Sequence, residues 1–440
     1  MDPVFDAQYL PVKKKFAEQG TEIEVAYSPD GTVDYIYAVD QLLARPANIE
    51  LLGTLLPGLH PVEREELRGL GDRQLPDGLV VLSIKDLEAG RFTVPEALDH
   101  LDERLEERRR RLGEDYPVPA AGEPLATPVH VMHTAKLCMA SEPGVPVGSP
   151  DQPSPPVKGN RGDQDRVRLV ISDTGLLENF QPERLDAARY SWLAGVDGDR
   201  LPDRLGRILP PDLAGIPEDG ELQSIPFEAG HGTFVAGVAR SMAPRASVYV
   251  GNHFTMAGAA LEYEVVSGLD ELIPVQAPHV INVPAGTHTR KDLPLLSFSD
   301  FRQRYDITLV AAAGNDSTHR PFWPAAFPWA IGVGAFGGDE QNLAYFSNYG
   351  DWVDVYSLGE GLVNAYAIGV YTYREPPKRP TQQVFRGMAR WDGTSLASAL
   401  VSGLIAAEIA RGGGSAQQAW ERVFEAAQEV RGVGRYASPW

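Results

Sequence analysis

Three short segments decide the fold, and they lie in the last two-thirds of the chain: residues 172–175 (SDTG), 230–237 (GHGTFVAG) and 393–398 (GTSLAS). They place Asp173, His231 and Ser395 in that order along the sequence. A serine hydroxyl becomes a useful nucleophile only when a neighbouring base takes its proton, and a histidine in that role needs a buried carboxylate to fix its tautomer. The segments therefore predict a catalytic Asp-His-Ser triad.

Each triad residue falls at the end of a predicted element. The apolar run at 167–172 predicts a buried strand that ends beside Asp173. A helix is predicted to begin at His231, and the Ala- and Leu-rich stretch 396–410 predicts a buried helix just after Ser395. Open α/β sheets place their sites at strand ends, and helix N-termini direct amides at negative charge. The three residues are therefore expected to meet at one edge of a sheet.

All three segments resemble signatures of the subtilisin-like serine protease family, in which the triad has this chain order. The resemblance implies an α/β, three-layer subtilisin-like fold with a mainly parallel sheet. Strand-like runs that alternate with helical patterns from Val167 onward independently favour the α/β class. Residues 309–316 (LVAAAGND) resemble the Ala-Ala-Gly-Asn motif of the family. That resemblance implies an oxyanion hole formed by the Asn315 side-chain amide and the Ser395 backbone N–H.

One wall of a substrate cleft is expected at residues 279–286 (HVINVPAG), which resemble the corresponding strand and loop of the family. The resemblance implies substrate contacts from Pro284, Ala285, Gly286 and Gly314. Pro284-Ala285 stands where Ser-Leu is usual in the family, so no preference for a particular cleavage sequence follows.

An acidic stretch that includes Asp197, Asp199 and Asp203 precedes the histidine segment. Carboxylates of this kind can hold Ca²⁺, which many relatives use, but the spacing is not an EF-hand pattern and a solvated acidic loop is the favoured interpretation. No cofactor is expected to be required, and no metal ligand is assigned. In the absence of a Cys-x-x-Cys motif, strand and linker roles rather than metal binding are predicted for His130, His133 and Cys138.

The chain has 440 residues, with 60 acidic and 40 basic side chains and a formal net charge of −20. This charge argues against a nucleic-acid partner and favours high solubility. The N-terminus lacks the apolar region of a secretory signal, and no stretch approaches a transmembrane span. Its one cysteine, Cys138, cannot form an internal disulfide. A cytoplasmic protein without a membrane partner is therefore expected, with export left open because most family members are secreted.

The sequence pattern of residues 1–140 predicts a smaller N-terminal α+β domain. Apolar residues alternate on both sides of the turn 28–31 (SPDG), which indicates a β-hairpin. Residues 93–96 (TVPE) form a capping box that begins a helix, and Gly113 is expected to end it. Arg108 to Arg111 fit the last turn of that helix better than a processing site. Strands are predicted at 79–84 and 128–133.

The composition shifts at residue 141, and residues 141–166 predict a Pro/Gly-rich linker or exposed loop before a catalytic domain at 167–440. Members of the family commonly carry an N-terminal propeptide that inhibits the cleft and is removed. The N-terminal domain is expected either to contact and inhibit the catalytic cleft in this way, or to be a retained domain that regulates the enzyme or recruits substrates.

The resemblance and the triad together predict a serine endopeptidase that hydrolyses peptide bonds through an acyl-enzyme on Ser395. Without a signal segment and with an extra domain, an intracellular protease with few protein or precursor-peptide substrates is expected. The alternative is a non-catalytic peptide-binding module on the same fold. The two differ in whether Ser395 reacts covalently.

Overall fold

The N-terminal third of the chain folds as helices on a mostly antiparallel sheet. The computed structural model describes residues 3–87, 92–112, 124–134, 141–148, 150–159, 166–199, 224–227, 229–376, 378 and 381–440. In chain order, the first elements are α1 Pro3–Glu18, β1 Ile23–Tyr27, β2 Val33–Ala44, α2 Ile49–Leu55, β3 His60–Pro61, β4 Val80–Ser83, α3 Val94–Leu112 and β5 Ala126–Thr134. We call residues 3–134 the N-terminal unit.

The remaining elements are strands with helices between several of them. They are β6 Arg168–Asp173, β7 Val196–Gly198, α4 His231–Met242, β8 Ser247–Asn252, β9 Ala259–Leu261, α5 Glu262–Gln276, β10 Val280–Val283, β11 Ala285–Gly286, α6 Leu296–Arg304, β12 Thr308–Ala312, β13 Ile331–Phe336, β14 Val355–Leu358, β15 Leu362–Thr372, β16 Gln382–Trp391, α7 Thr394–Gly412, α8 Ala416–Ala426, β17 Gln428–Val430 and β18 Gly434–Tyr436.

A parallel sheet forms the centre of this second part. Within the described residues it has nine strands in the order β17-β18-β14-β13-β12-β10-β6-β8-β7. Every neighbouring pair is parallel except β17 with β18. The central strands are apolar along their length because helices cover both faces of the sheet. The predicted fold class, with a mainly parallel sheet, is confirmed.

The faces of the sheet belong to different helices. Leu169 and Ile171 of β6 pack in one core with α4 and α7, whereas Val170 packs in another core with α5 and α6. Helices α4 and α7 cross closely at Gly403. A Cβ on Gly403 would lie only 2.4 Å from the carbonyl oxygen of Ala239, so a larger residue would not fit there. Contrary to the expectation that no stretch approaches a transmembrane span, α7 is long and apolar enough to cross a membrane by length and composition alone. Its side chains are mostly buried against α4 and the sheet, as in the core helix of a globular domain.

The elements predicted in the N-terminal unit are present. β1 and β2 form the hairpin, with Val25 opposite Ile36. The capping box is formed by Thr93 and Glu96, whose side chain accepts from the Thr93 backbone N–H at 2.8 Å. β4 and β5 match the two predicted strands. The sequence pattern does not indicate α1, which Pro11 interrupts. The predicted helix end at Gly113 lies outside the described residues.

The strand β5 belongs to both parts of the molecule. Its first half pairs antiparallel with β2, and its second half pairs antiparallel with β9 and β11. Apolar side chains of the N-terminal unit also share one core with Met256, Leu261, Tyr263 and Leu296. The predicted domain boundaries fall beside residues 135–140 and 160–165, outside the described part, and stay predictions.

The described part of the predicted linker lies along a ribbon formed by β15 and β16. Gly144 pairs with Arg390, and Ser154 pairs with Val363. The Glu142 side chain is buried and accepts from the backbone N–H of Arg374 at 2.9 Å. Residues 141–148 and 150–159 therefore pair with the ribbon at two points while side chains such as Val147 stay exposed, and the linker assignment stays a prediction. Extended, proline-rich chain satisfies its few backbone donors by pairing with a strand edge, which composition alone does not reveal.

Candidate active site

Asp173 is the last residue of the central strand β6 and is fully buried. Its carboxylate oxygens lie 2.8 and 2.9 Å from Nδ1 of His231. The backbone N–H of Thr174 donates to the same carboxylate at 2.7 Å. A ring nitrogen that faces two carboxylate oxygens carries its proton, so the neutral His231 has a free lone pair on Nε2. The pair has the geometry of an oriented general base.

His231 begins α4, and its ring is packed tightly. The preceding Gly230 has φ +89°, and a Cβ there would lie 2.4 Å from the Tyr366 ring. The Trp391 ring meets the His231 ring edge to face, with centroids 5.4 Å apart and an interplanar angle of 87°. The indole N–H of Trp391 donates to the carbonyl oxygen of Ser141 at 2.8 Å. The ribbon thus packs against the imidazole through Trp391, and the segment at residue 141 helps to hold Trp391 in place.

Ser395 lies in the first turn of α7 and is fully buried. Its backbone N–H is one of the first amides of the helix, which have no partner within the helix. Its hydroxyl donates to the carbonyl oxygen of Pro284 at 2.9 Å, and within the described residues it has no hydrogen bond to His231. The structure therefore brings Ser395 to the substrate wall, with its hydroxyl turned to Pro284.

Asn315 follows β12 and faces the first turn of α7. Its side-chain oxygen accepts from the Thr394 backbone N–H at 2.9 Å and from the Thr394 hydroxyl at 3.0 Å. Because a backbone N–H can only donate, these contacts fix which side of the amide carries the nitrogen. Nδ2 of Asn315 is buried and has no hydrogen-bond partner within the described residues. A buried donor is costly unless an acceptor reaches it, and a negatively charged oxygen in the cleft would be such an acceptor.

Three residues predicted to contact substrate, Pro284, Ala285 and Gly286, form one wall of a cleft beside Ser395, and the fourth, Gly314, belongs to the opposite wall. Ala285 and Gly286 make up β11, which pairs with Thr134 and His133 of β5. On the other side of β5, β9 pairs with Val131, Met132 and His133. The Thr134 backbone N–H donates to the carbonyl oxygen of Gly258 at 2.8 Å. The cleft therefore holds a strand of the protein's own N-terminal unit between its two edges.

Comparison with known proteins shows which family the chain resembles. A family model described as "Subtilase family" matches residues 214–423. This part of the chain, just under half of it, therefore resembles the subtilase family.

Individual relatives match part of the chain. The thermophilic serine proteinase of Bacillus sp. (strain AK1) is 30% identical over 217 residues, which are 47% of this chain and 49% of that protein. Thermitase of Thermoactinomyces vulgaris is 28% identical over 241 residues, which are 51% of this chain and 79% of thermitase. The chain thus spans about half the length of the first of these relatives.

A solved structure shares the overall fold. Fervidolysin from Fervidobacterium pennivorans, described as a keratinolytic enzyme related to subtilisin, has a TM-score of 0.56 and 15% sequence identity. The match covers 92% of this chain and 60% of fervidolysin. The likeness therefore includes the N-terminal unit as well as the sheet that carries the subtilase motifs.

The candidate calcium residues have protein partners where they are described. The Asp199 carboxylate accepts from the Asn252 backbone N–H at 2.9 Å and from the Tyr249 hydroxyl at 2.5 Å. Within the described residues, no three His, Cys, Asp or Glu side chains are grouped as a metal site would require. Asp203 and Cys138 lie outside the described residues. His130, predicted as a strand residue, lies in β5 with Nδ1 2.8 Å from the buried Glu262.

Three features of the site are not indicated by the sequence motifs: the position of β5 in the cleft, the packing of Trp391 on His231, and Phe322. The Phe322 ring lies 5.9 Å from the His133 ring and 5.1 Å from the His288 ring, measured between centroids. The predicted strand at 128–133 is the one available signal for β5, but nothing in its pattern identifies its partners.

His133 makes the stability of the occupied cleft depend on pH. Burial lowers the pKa of His133 from 6.5 to about 4, although Asp316 and the Thr134 carbonyl favour its charged form and His288 opposes it. The folded protein therefore binds the proton less readily than the unfolded chain. Its contribution to the free energy of unfolding is complete above pH 6.5 and declines as the pH falls from 6.5 toward 4.

We therefore expect His133→Asn to reduce the loss of stability in acid. Between pH 7.5 and 5.0, the Ser395→Ala protein should lose about 2 kcal/mol more unfolding free energy than the Ser395→Ala/His133→Asn protein. Urea unfolding at both pH values measures the difference. His60 is exposed, so His60→Asn serves as the matched control and should behave like the parent. Equal losses with and without His133 would contradict the prediction.

Proposed function

We propose that this protein is a serine endopeptidase that hydrolyses peptide bonds through an acyl-enzyme on Ser395. The observation that carries the proposal is the buried Nδ2 of Asn315, which lies next to the first turn of α7 and has no partner in the described part of the chain. Together with the Ser395 backbone N–H, it would donate to the negative oxygen of a tetrahedral intermediate. Thr394 holds the other end of the amide, so the donor is already oriented before substrate binds.

The proposed reaction begins with proton transfer. The Ser395 hydroxyl exchanges its bond to Pro284 for one to Nε2 of His231, which takes the proton as Oγ attacks the substrate carbonyl carbon. Asp173 stabilises the imidazolium that forms. His231 then gives the proton to the leaving amine as the C–N bond breaks. Water, deprotonated by His231, hydrolyses the ester on Ser395 and releases the acid.

Substrate is proposed to bind as a strand. The edges of β9 and β11 pair with an extended chain in this structure, and backbone pairing of this kind gives affinity for many sequences. A substrate that continued along the same register would bring a backbone N–H to the carbonyl oxygen of Pro284. That N–H would compete with the Ser395 hydroxyl for the Pro284 carbonyl oxygen. The competition would favour rotation of the hydroxyl toward His231. A protein or peptide passing through the cleft suits an endopeptidase.

The N-terminal unit is proposed to inhibit the site in the intact chain. β5 pairs with both cleft edges, and ion pairs join the two parts around it. Oδ1 of Asp34 lies 2.6 Å from Nη2 of Arg320. Oδ2 of Asp102 lies 2.8 Å from Nη2 of Arg290 and 2.7 Å from Nζ of Lys291. These contacts suit either a propeptide that is removed or a retained regulatory domain. The cytoplasmic location and the small set of substrates stay predictions.

One observation favours the alternative, a peptide-binding module. The Ser395 hydroxyl is bonded to Pro284 rather than to His231, so the nucleophile is not poised. A module that only held strands would keep β9 and β11 but would have no use for the unpartnered Asn315 amide. Covalent reactivity at Ser395 separates the two functions.

We expect a fluorophosphonate probe to label Ser395. The purified full chain should gain the mass of one probe, whereas Ser395→Ala should gain none, because only an activated hydroxyl displaces fluoride. Intact-mass spectrometry measures the gain and also shows whether the chain has been cut after the N-terminal unit. Heat-unfolded protein is the control for nonspecific reaction. Failure of the folded protein to react, even when the cleft strand is weakened as described below, would favour the peptide-binding module.

We expect Asn315→Ala to lower turnover by about 10²- to 10³-fold with a smaller effect on KM, a magnitude known from the corresponding donor in subtilisin. The donor acts on the charge that develops in the transition state, so substrate binding changes less. Steady-state hydrolysis of a peptide substrate measures both constants. Asn342→Ala, at an exposed turn, is the matched control. If the variant instead raised KM and left turnover unchanged, Asn315 would act in substrate binding.

We expect Thr134→Pro to accelerate fluorophosphonate labelling of the full chain by roughly 3- to 10-fold, the value of one backbone hydrogen bond. Proline removes the N–H that bonds to Gly258 and weakens β5 in the cleft. Thr134→Val keeps this N–H and is the matched control. Equal labelling rates for the two variants would argue against inhibition by β5.

A further inference from the structure

The space between the two walls of the cleft beside Ser395 is filled by the ring of Phe322. A Cβ on Gly286, in β11, would lie 2.4 Å from Cε1 of Phe322. A Cβ on Gly314, after β12, would lie 3.0 Å from Cγ of the same ring. The ring therefore lies in contact with the backbone of both walls. Phe322 is buried, so this contact belongs to the interior of the cleft.

Phe322 is held in this place from several sides. The neighbouring Trp323 exchanges two backbone hydrogen bonds of 2.9 Å with Thr287, immediately after β11. The His288 ring packs against the Phe322 ring at an interplanar angle of 76°. Nδ1 of His288 lies 3.0 Å from the Pro321 carbonyl oxygen, and its Nε2 lies 3.2 Å from Oδ2 of Asp316. A rotation of the phenyl ring out of the cleft would have to disrupt this packing.

Little room remains beside the nucleophile. A cavity of about 10 Å³ lies between the walls and is lined by Ser395, Asn315, Phe322 and six neighbours: His133, Pro284, Ala285, Ala312, Gly314 and Thr394. A volume of this size holds about one water molecule. A methyl or hydroxymethyl group fits a space on this scale, whereas a leucine or phenylalanine side chain does not.

The register of β5 shows which substrate residue meets this cavity. His133 pairs with Gly286 and Thr134 pairs with Ala285, so the next residue of a bound strand would lie opposite Pro284. The carbonyl oxygen of Pro284 is the acceptor of the Ser395 hydroxyl, at 2.9 Å. Because side chains alternate along a strand, that residue faces the same side as His133, which packs on Phe322. Its carbonyl is the one beside the nucleophile.

We propose that Phe322 is a specificity-determining residue that restricts cleavage to bonds following a small residue, glycine, alanine or serine. The inference rests on the proposed function, because it names the substrate class of the same site. A larger side chain would have to displace the Phe322 ring from the two glycine walls, and overfilling a packed site is unfavourable. Phe322 acts by shape alone and takes no part in proton transfer.

The test compares two phosphonate probes that differ in one side chain. Both are tripeptidyl diphenyl phosphonates that form a bond with Ser395 and expel phenol, one with an alanine side chain next to phosphorus and one with a phenylalanine side chain. The full chain should react at least about 100-fold faster with the alanine probe. Phe322→Ala should raise the rate with the phenylalanine probe at least about 10-fold. Phe322→Leu still fills the space and should keep the preference for alanine.

Controls separate this inference from the proposed function. Phe327→Ala removes a nearby phenyl ring that packs on Trp323 outside the cavity lining, and it should leave the preference unchanged. The fluorophosphonate, which presents no substrate side chain, reports the nucleophile in every variant. If it fails to label the parent, the proposed function fails and this inference with it. If it labels the parent but both peptidyl probes react equally, or Phe322→Ala does not admit the larger probe, the specificity assignment alone is overturned.

Discussion

The backbone pairing of β5 determines how the two parts of this protein sit together. Short strands such as β9 and β11 present backbone N–H and C=O groups that need partners, and a cleft between two such edges accepts an extended chain on both sides. The second half of β5 fills that position while its first half continues the antiparallel sheet of the N-terminal unit through β2. A single strand therefore fixes the register in the cleft, the placement of the N-terminal unit and the occupation of the candidate site.

The sequence predicts the placement of the catalytic candidates because their constraints are local. Asp173 ends a short apolar run that is typical of a buried strand, and His231 and Ser395 lie in the first turn of helices whose N-caps are Gly230 and Gly393. The close approach of Tyr366 to Gly230 and the crossing of α4 and α7 at Gly403 explain why small residues stand there. Parallel strands and their helices then meet at one edge of the sheet, whatever the intervening loops contain.

Strand pairings between distant segments cannot be predicted from such local patterns. The pattern at 128–133 indicates a strand, but its edges carry no signal of whether they pair with β2, β9 or β11. Phe322 lies between two walls that come from Gly286 and Gly314, and an isolated phenylalanine in a sequence predicts only burial. The prolines of residues 141–159 indicate a linker by composition. In the structure, backbone groups of this segment pair with the strand edges of the ribbon. Each of these features depends on contacts between segments far apart in the sequence.

The shared core limits what a cut in the chain could do. Met256, Leu261, Tyr263 and Leu296 are buried in one cluster with side chains of α1, β2, β4 and β5. Separation of the N-terminal unit would expose this apolar surface and would also divide the ion pairs of Arg290 and Arg320 with their aspartates. Cleavage of one peptide bond removes neither the burial nor the strand pairing. A cut between the two parts would therefore leave β5 in the cleft, and access for a substrate would depend on how readily the whole N-terminal unit unfolds or leaves.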